Sequence, residues 1–497
     1  MADPDDSPLV RERRAKLARV RGRGVEPYPW AFPGREPTRA VVAACGPLAP
    51  GTSADGPPFS VAGRLRTIRQ LGKTSFLDLE DQSGPLQLFL KVDEVGDAAY
   101  EQWISDLDPG DLVGAVGTAL VTRRGEPSLL VRELTLLAKA LSPPPEKFHG
   151  LQDPEARIRR RYVDLFSSEE SRTRFTARSL LVREMRRHLD SAGFLEVETN
   201  TLLRTASGAA AKPFLTHSNY LGDDLQLRIS LELALKRLLV GGMERVYEIG
   251  HVFRNEDLDS IHSPEFTLLE LYWAYADYTD MRHLVEALYQ DLAGRLATTF
   301  PELAPARAAV EAFRPPFATV DWVAALESAS GLDHVLDIGR ERLASEARRV
   351  GATVRPDAPV GKFLDKLFEH YVEPTLDKPT FVLDYPAATS PLAKRHRSLA
   401  GRIERFELFY RGIELGNAYT ELNDPDEQER RFREQLGSSE EEHYALDEDF
   451  VEAMRYGMPP ATGLGIGVDR LVMALLGVAS IKDVILFLPT RERDGGS

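Results

Sequence analysis

Two short stretches of the chain alternate between apolar and polar positions, and a polar loop joins them. The first is RVYEIGHVF, residues 245–253, and the second is EFTLLELYWA, residues 265–274. Successive side chains of an extended chain point to opposite faces, so this period of two predicts a pair of antiparallel strands. Glu270 and Tyr272 fall on the same face as Phe266, and a carboxylate on a buried face usually has a charged partner. The charged residues of the two strands and the loop, which include Arg254, Glu256 and Glu270, are either solvated or part of a site. The two stretches alone leave both interpretations open.

The region from residue 59 to residue 141 contains five short segments that alternate in the same way. Gly or Asp turns separate them, and such a series predicts a small antiparallel barrel of the OB-fold type. OB-folds commonly bind single-stranded nucleic acid by stacking bases on exposed aromatic side chains. Phe76 is a candidate for such stacking, although a single phenylalanine in a strand is more often part of the core. The segments are FSVAGRLRTIR, TSFLDLED, PLQLFLKV, LVGAVGTALVT and SLLVRELTLLAKAL.

Helical spacing dominates several parts of the remaining chain. Ser167, with Glu170 three residues later, has the pattern of a capping box and predicts that a long helix starts there. An Ala-rich stretch from 301 to 375 predicts a helical insertion between two groups of strands, and a glycine-rich turn at 463–467 leads into a last helix. The predicted segments are 1–57 (a basic helical arm and linker), 58–141 (the barrel), 142–166 (a linker) and 167–497 (the main domain).

Composition places the chain among ordinary globular proteins of more than one domain. It has 497 residues, of which 43% are hydrophobic and 28% charged. Cys45 is the only cysteine, which excludes a disulfide framework and a cysteine-based zinc site and is typical of a reducing cytoplasm. We expect no secretory signal at the N-terminus, and no run of about 18 apolar residues is present to cross a membrane.

The net charge of −15 should repel nucleic acid on average, but the basic residues are unevenly distributed. Residues 11–23 hold seven Arg or Lys against one Glu, and residues 157–161 hold four Arg. An acidic protein with local basic patches can still bind a polyanion. The first patch is therefore either a solvated helix or a nucleic-acid contact, and the sequence leaves both interpretations open.

Charged residues in the C-terminal third suggest a phosphate site. An Arg411-Gly412 turn separates Glu407 from Glu414, and a hairpin there could bring both carboxylates together to hold Mg²⁺. With Arg254 after a strand and Arg470 at the start of a helix, such a pair could clamp a triphosphate. Taken singly, the acids could equally be an exposed strand edge, and the glycines at 463, 465 and 467 could serve packing.

Several motifs together resemble those of the class II lysyl-tRNA synthetases. GFLEVET (193–199), FRNE (253–256) and GLGIGVDR (463–470) are similar to motifs 1, 2 and 3 of the class II aminoacyl-tRNA synthetases, and the resemblance runs from about residue 10 to residue 491. It implies an α+β fold with an N-terminal OB-fold β-barrel and a class II catalytic domain, an antiparallel sheet flanked by helices with a helical insertion. The segments similar to the lysyl enzymes in particular are 147–165, 207–214, 228–242, 268–278 and 413–424.

The resemblance implies lysine activation by ATP and Mg²⁺, giving lysyl-adenylate, followed by transfer to the 3′ end of tRNA(Lys). It also implies a homodimer. Arg254 and Arg470 would be catalytic, and the convergence of these arginines with the acidic residues is the expectation on which the interpretation depends. ATP would contact Arg254, Glu256, His262, Ser263, Phe266, Glu407 and Arg470, and Mg²⁺ would bind Glu407 and Glu414. Lysine would contact Gly208, Glu232, Arg254, Glu270, Tyr272, Asn417, Tyr419 and Glu421, and the anticodon would contact Arg69, Phe76, Gln87 and Glu133.

Three positions depart from the family pattern. Asn200 stands where motif 1 usually has a proline at the dimer interface, Ser263 replaces an asparagine, and Ser207 replaces the first of two glycines. None of these changes removes a charged group from the predicted site, so we expect activity. Two alternatives are a lysine ligase with a protein acceptor, whose members lack the barrel, and a non-catalytic tRNA-binding relative, which should have lost part of the charged set.

Overall fold

The chain folds into two compact units, Met1–Ser168 and Glu169–Ser497. The predictions that fall on Ser207 and on residues 147–149 lie outside the described part of the chain. The computed structural model describes residues 7–145, 150–206, 208–209, 211–355, 358–436 and 447–489.

The first unit contains a closed five-stranded barrel, which confirms the predicted OB-type fold. The strands are connected side by side in the order β1-β2-β3-β5-β4. Alternate leucines such as Leu77, Leu79 and Leu88 point inward and are fully buried, because each strand turns one of its two faces toward the barrel interior. The strands are β1 Phe59–Leu71, β2 Thr74–Asp81, β3 Gly84–Lys91, β4 Leu112–Val121 and β5 Pro127–Ala138.

The basic N-terminal helix is present, and part of its charge holds it against the barrel unit. The hydroxyl of Ser7 caps it by accepting from the Val10 amide at 3.2 Å. Arg13 is buried and donates to the carbonyl oxygens of Ala140 (2.7 Å) and Pro109 (3.0 Å). The sequence pattern did not indicate α2, α3 or α4, and α5 and α6 lie where it predicted a linker. The helices of this unit are α1 Pro8–Gly22, α2 Thr38–Cys45, α3 Val92–Val95, α4 Asp97–Asp106, α5 Pro154–Arg159 and α6 Arg161–Ser167.

The predicted capping box at Ser167 is wrong. Ser167 is the last residue of α6, and its hydroxyl donates to the carbonyl oxygen of Val163 at 2.7 Å. The next helix starts at Glu169 instead. A serine at the end of one helix can bond back to the preceding turn, and here that bond replaces the predicted cap.

The second unit is built on an eight-stranded sheet with the order β12-β13-β14-β15-β16-β11-β10-β6, in which the β12–β13 and β10–β6 pairs are parallel and the others antiparallel. A separate three-stranded sheet has the order β7-β9-β8. The strands are β6 Leu195–Glu196, β7 Leu202–Leu203, β8 Leu215–Ser218, β9 Asp223–Leu227, β10 Arg245–Phe253, β11 Glu265–Ala274, β12 Ala318–Asp321, β13 Thr380–Leu383, β14 Arg405–Tyr410, β15 Ile413–Thr420 and β16 Ala461–Gly467.

The predicted strand pair forms β10 and β11, with Glu248 opposite Glu270. One face of the pair is apolar, and Tyr247, Leu269 and Leu271 pack there in the main core. The other face carries Glu270 and the side chains of the candidate site.

Asp277 starts α9 with a capping box, and the helices of this unit are α7 Glu169–Ser191, α8 Glu232–Val240, α9 Tyr278–Thr299, α10 Ala304–Ala312, α11 Trp322–Ser330, α12 Arg340–Arg349, α13 Val360–Tyr371, α14 Pro425–Leu436, α15 Glu448–Arg455 and α16 Val468–Leu476.

The stretch from 301 to 375 contains four helices, α10 to α13, and the short strand β12, which extends the main sheet beside β13. Helices α11, α12 and α13 share a core of their own, in which Trp322 stacks on Phe368 with ring centroids 4.8 Å apart, whereas Ala306 and Ala309 of α10 pack in the main core. Among the residues that the structure describes, no helix is both long and apolar enough to cross a membrane.

Candidate active site

A cleft of about 340 Å³ opens on the face of the sheet that carries Glu270. Of the residues that the sequence predicts for ATP, lysine and metal, all except Glu407 and Glu421 line it. Strands β10, β11, β15 and β16 supply most of the positions, together with the loop between β10 and β11. The predicted residues along the cleft are Gly208, Glu232, Arg254, Glu256, His262, Ser263, Phe266, Glu270, Tyr272, Glu414, Asn417, Tyr419 and Arg470.

Arg254 follows the last residue of β10, and its guanidinium carbon lies 5.2 Å from the centre of the Phe266 ring. Its Nε donates to the Ile229 carbonyl oxygen at 3.3 Å, so the side chain is held along the cleft wall. In the loop that follows, Ser263 is buried, and its hydroxyl has no hydrogen-bond partner among the described residues. A buried hydroxyl without a partner in a cleft is free to bond a ligand.

Arg470 lies in the first turn of α16, directly after the glycine-rich strand. Its guanidinium is 3.4 Å from a carboxylate oxygen of Glu414 and donates to the Ile261 carbonyl oxygen at 3.3 Å. The neighbouring Asp469 fixes this helix start, because one of its oxygens accepts from the Thr267 amide at 2.9 Å. The predicted approach of Arg470 to an acidic residue is therefore present.

Three carboxylates that are nearly excluded from water lie at the inner end of the cleft or directly behind it. Glu232, Glu270 and Glu421 are 6%, 5% and 0% exposed. Glu270 accepts from the Ser230 hydroxyl (2.8 Å), the Leu231 amide (3.0 Å) and the Tyr272 hydroxyl (3.1 Å). Burial, reinforced by the negative charge of Glu232, raises the pKa of Glu270 to about 7.

A buried lysine neutralises part of this negative charge. Lys236 lies one turn after Glu232 on α8, is fully buried, and its ammonium forms ion pairs with Glu232 and Glu421. Burial lowers the pKa of Lys236, but the two carboxylates raise it by more, so the group stays charged. Burial also raises the pKa of Glu421, and the Lys236 ammonium opposes that rise.

Gly463 of β16 is required by this arrangement. A Cβ atom there would overlap with Oε1 of Glu421 and with the ring of Tyr272. A Cβ at Gly465 would meet its nearest neighbour, Glu270, at an ordinary 3.9 Å. Packing was one role expected for these glycines, and at Gly463 the packing partners are the carboxylate of Glu421 beneath the strand and the ring of Tyr272.

The two predicted metal ligands lie on the β14–β15 hairpin but are not directly opposite each other. Glu407 pairs with Asn417, and Glu414 pairs with Phe409 across a bulge. Glu407 is ion-paired with Arg405 and accepts from the Tyr385 hydroxyl at 2.7 Å, whereas Glu414 lines the cleft. Burial raises the pKa of Glu407, Arg405 opposes the rise, and Glu414 adds to it, which indicates that the two carboxylates are near neighbours. Within the described ranges, no group of three or more His, Cys, Asp or Glu could hold a metal by itself.

The predicted nucleic-acid residues of the barrel lie on strands of its outer face. Phe76 is half-buried and stacks on Phe89 of β3 with ring centroids 4.7 Å apart, so it is not a core residue. Arg69 is opposite Phe76 on β1 and bonds Asp78 at 3.0 Å. Gln87 accepts from the Ser128 hydroxyl at 3.1 Å, and Glu133 is exposed on β5.

Comparisons with known proteins decide the family. A family model described as tRNA synthetases class II (D, K and N) matches residues 153–491, and one described as an OB-fold nucleic acid binding domain matches residues 59–137. The chain is 48% identical to the lysine–tRNA ligase of Deinococcus radiodurans over 490 residues, which cover 95% of this chain and 91% of that protein. It is 46% identical to that of a Roseiflexus species (98% and 99% covered) and 45% identical to that of Moorella thermoacetica (98% and 99% covered).

The chain belongs to the class II lysine–tRNA ligase family. The predicted family and fold class are thereby confirmed. Residues in or near the sites of this family member that sequence reasoning did not single out include Lys236, Arg405 and Phe89. Lys236 follows Glu232 by four residues, a spacing typical of a solvated pair on a helix surface, and this signal therefore pointed away from the cleft.

Proposed function

We propose that this chain is a lysine–tRNA ligase, which converts lysine and ATP into lysyl-adenylate and then transfers the lysyl group to the 3′ end of tRNA(Lys). The observation that carries the proposal is the cluster of three buried carboxylates at the inner end of a cleft whose wall holds Arg254 and Arg470. An ammonium group needs a carboxylate partner where water is excluded, and the guanidinium groups suit a carboxylate and phosphates.

In this proposal each residue acts by position and charge, and no side-chain nucleophile is needed. Arg254 binds the lysine carboxylate and the α-phosphate, and so it brings the two reacting groups together. Arg470 holds the outer phosphates, while Glu256, His262, Ser263 and Phe266 hold the nucleotide. The unpartnered hydroxyl of Ser263 supports a ligand contact there despite the departure from asparagine. Lysine is held by Gly208, Glu232, Glu270, Tyr272, Asn417, Tyr419 and Glu421.

Glu414 and Glu407 fit the requirements of Mg²⁺, which takes oxygen ligands and usually combines one or two carboxylates with substrate phosphates. Glu414 faces the cleft with its side chain 38% exposed, and Glu407 stands behind it. Bound there, the ion would neutralise phosphate charge. The guanidinium of Arg405, ion-paired with Glu407, reduces the repulsion between the two carboxylates before any ion is present.

The remaining parts follow from the same proposal. Residues 58–141 form the anticodon-binding domain, with Arg69, Phe76, Gln87 and Glu133 as contacts, and residues 167–497 form the catalytic domain. The chain forms a homodimer through the surface near Asn200, where the exposed side chains of Leu202 and Leu215, on outer strands of one small sheet, support an apolar contact. The cytoplasm is the proposed location, since tRNA is charged there.

The test is ATP–pyrophosphate exchange with each amino acid, followed by charging of tRNA(Lys). We expect exchange that depends on lysine, and lysyl-tRNA as the product. Exchange only with aspartate or asparagine, or no exchange with folded protein, would overturn the proposal. Lysine exchange without tRNA charging would favour the alternative of a protein acceptor, which the presence of the barrel does not favour. A non-catalytic relative should have lost part of the charged set. All four of its members are present, namely Arg254, Arg470, Glu407 and Glu414.

A further inference from the structure

Lys236 is a fully buried cation behind the wall of the candidate lysine pocket. Its ammonium contacts Glu232 and Glu421, and it lies 5.6–5.9 Å from the ring centres of Tyr272, Tyr419 and Phe450. A buried ammonium is costly to desolvate, and a carboxylate pair of this kind is often no more stabilising than a well-packed apolar side chain. Stability alone therefore does not explain why a lysine stands at this position.

The two partners of Lys236 are both carboxylates of the pocket. Glu232 lines the cleft and also accepts from the Tyr419 hydroxyl at 2.7 Å. Glu421 offers Oε2 to Lys236, and its Oε1, which lies beneath Gly463, has no hydrogen-bond partner among the described residues. Gly463 lines the cleft, so the unpartnered oxygen of Glu421 lies directly behind the strand residue that a ligand would meet.

The charge of the pocket follows from these contacts. Three buried carboxylates face one ammonium, which leaves two negative charges when all groups are ionised. A diamino acid brings two ammonium groups, and its carboxylate is matched separately by Arg254. Without Lys236 the pocket would hold an excess carboxylate with no partner, and a proton would be taken up instead.

The geometry points to Lys236 as a positioning and specificity residue, which orients Glu232 and Glu421 and sets the pocket charge to match a diamino acid. This inference rests on the proposed function, because it assigns lysine to this pocket. Lys236 does not touch the reacting atoms, so its effect is on lysine binding and reaches the substrate through the two glutamates.

The experiment compares Lys236→Met with the wild type in ATP–pyrophosphate exchange. We expect the KM for lysine to rise about 10- to 100-fold, the range for losing a hydrogen bond to a charged group, while the KM for ATP and the kcat at saturating lysine change little. The matched control is Arg237→Met, which removes the charge of the next residue of α8, a cation that pairs with Asp447 at 2.6 Å instead of with Glu232 and Glu421. That control should keep the wild-type KM for lysine.

A second variant covers the case in which Lys236→Met fails to fold. The double change Lys236→Met with Glu421→Gln removes both charges of one ion pair, and its KM for lysine should exceed that of Glu421→Gln alone by less than about tenfold, because part of the effect of Lys236 passes through that carboxylate and the rest through Glu232. An unchanged KM for lysine in Lys236→Met, or additive effects in the double variant, would overturn the inference. If the wild type exchanges lysine, either result leaves the proposed function intact, whereas a wild type without lysine exchange would refute the function itself.

Discussion

The outer face of the barrel and the catalytic cleft use charged and aromatic side chains in different surroundings. On the barrel, the Arg69 side chain is 55% exposed and Phe76 is half-buried, and both are held by simple cross-strand neighbours. In the cleft, Glu270 and Glu421 are almost fully buried, and their charges depend on one another. Exposed groups are screened by water and act nearly independently, while buried ones form a network in which one change affects the others.

The largest expected effect is that of Glu421→Gln. The change removes the buried charge proposed to pair with the ε-ammonium of lysine, so kcat/KM for lysine in pyrophosphate exchange should fall by about 100-fold or more. Glu404→Gln is the control, because Glu404 is also buried but pairs with Arg397, a different cation from the Lys236 that pairs with Glu421. If both variants lost lysine activation equally, the specific role of Glu421 would be refuted.

Phe76→Ala should weaken tRNA binding by the barrel and leave lysine activation in the cleft unchanged. Stacking of a base on an aromatic ring contributes about 1–3 kcal/mol, so the KM for tRNA should rise about 5- to 100-fold. Pyrophosphate exchange with lysine should stay at the wild-type level, which serves as the internal control. Phe89→Ala removes the ring stacked against Phe76 and should have a smaller effect of the same kind. A loss of exchange in Phe76→Ala would contradict the separation of the two sites.

The pH dependence of lysine use should distinguish the two regions further. Since the pKa of Glu270 is raised to about 7, its carboxyl is neutral below that pH and cannot pair with an ammonium group. We therefore expect kcat/KM for lysine to fall as the pH decreases from 8 to 6, by at most about tenfold per unit for one proton. Glu270→Gln should weaken this dependence and remove much of the activity, while Glu421, whose pKa is raised to about 8, should account for the dependence that remains. A wild-type profile that is flat over this range would contradict the raised pKa.

The smallest effect on activity is expected for Arg13→Ala, which tests the basic helix. Arg13 is buried and bonds two carbonyl oxygens, so its loss should lower the free energy of unfolding by about 1–3 kcal/mol. Charging of tRNA at a temperature where the variant is folded should be unchanged. Arg11→Ala, at an exposed position of the same helix, is the control for stability. Equal unfolding midpoints for the two variants would show that the buried contacts of Arg13 are not stabilising.

Local patterns predicted the main elements around both sites. The period of two gave the β10–β11 pair and the barrel strands because each has one apolar and one polar face. The capping-box pattern gave a wrong prediction at Ser167, because this serine is the last residue of α6 and the next helix, α7, begins two residues later. It left open whether Phe76 was core or surface, and the register with Phe89 answered that question.

The sequence by itself determined the strands, the barrel, the family and the set of charged residues that meet in the cleft. These features are encoded by side-chain periodicity and by motifs of neighbouring residues. Only the tertiary structure decided that Lys236 lies between Glu232 and Glu421, that Gly463 covers a carboxylate, and that Glu407 is engaged by Arg405. Burial and partner identity depend on residues far apart in the chain, and they decide whether a charge is solvated, neutralised or available to a ligand.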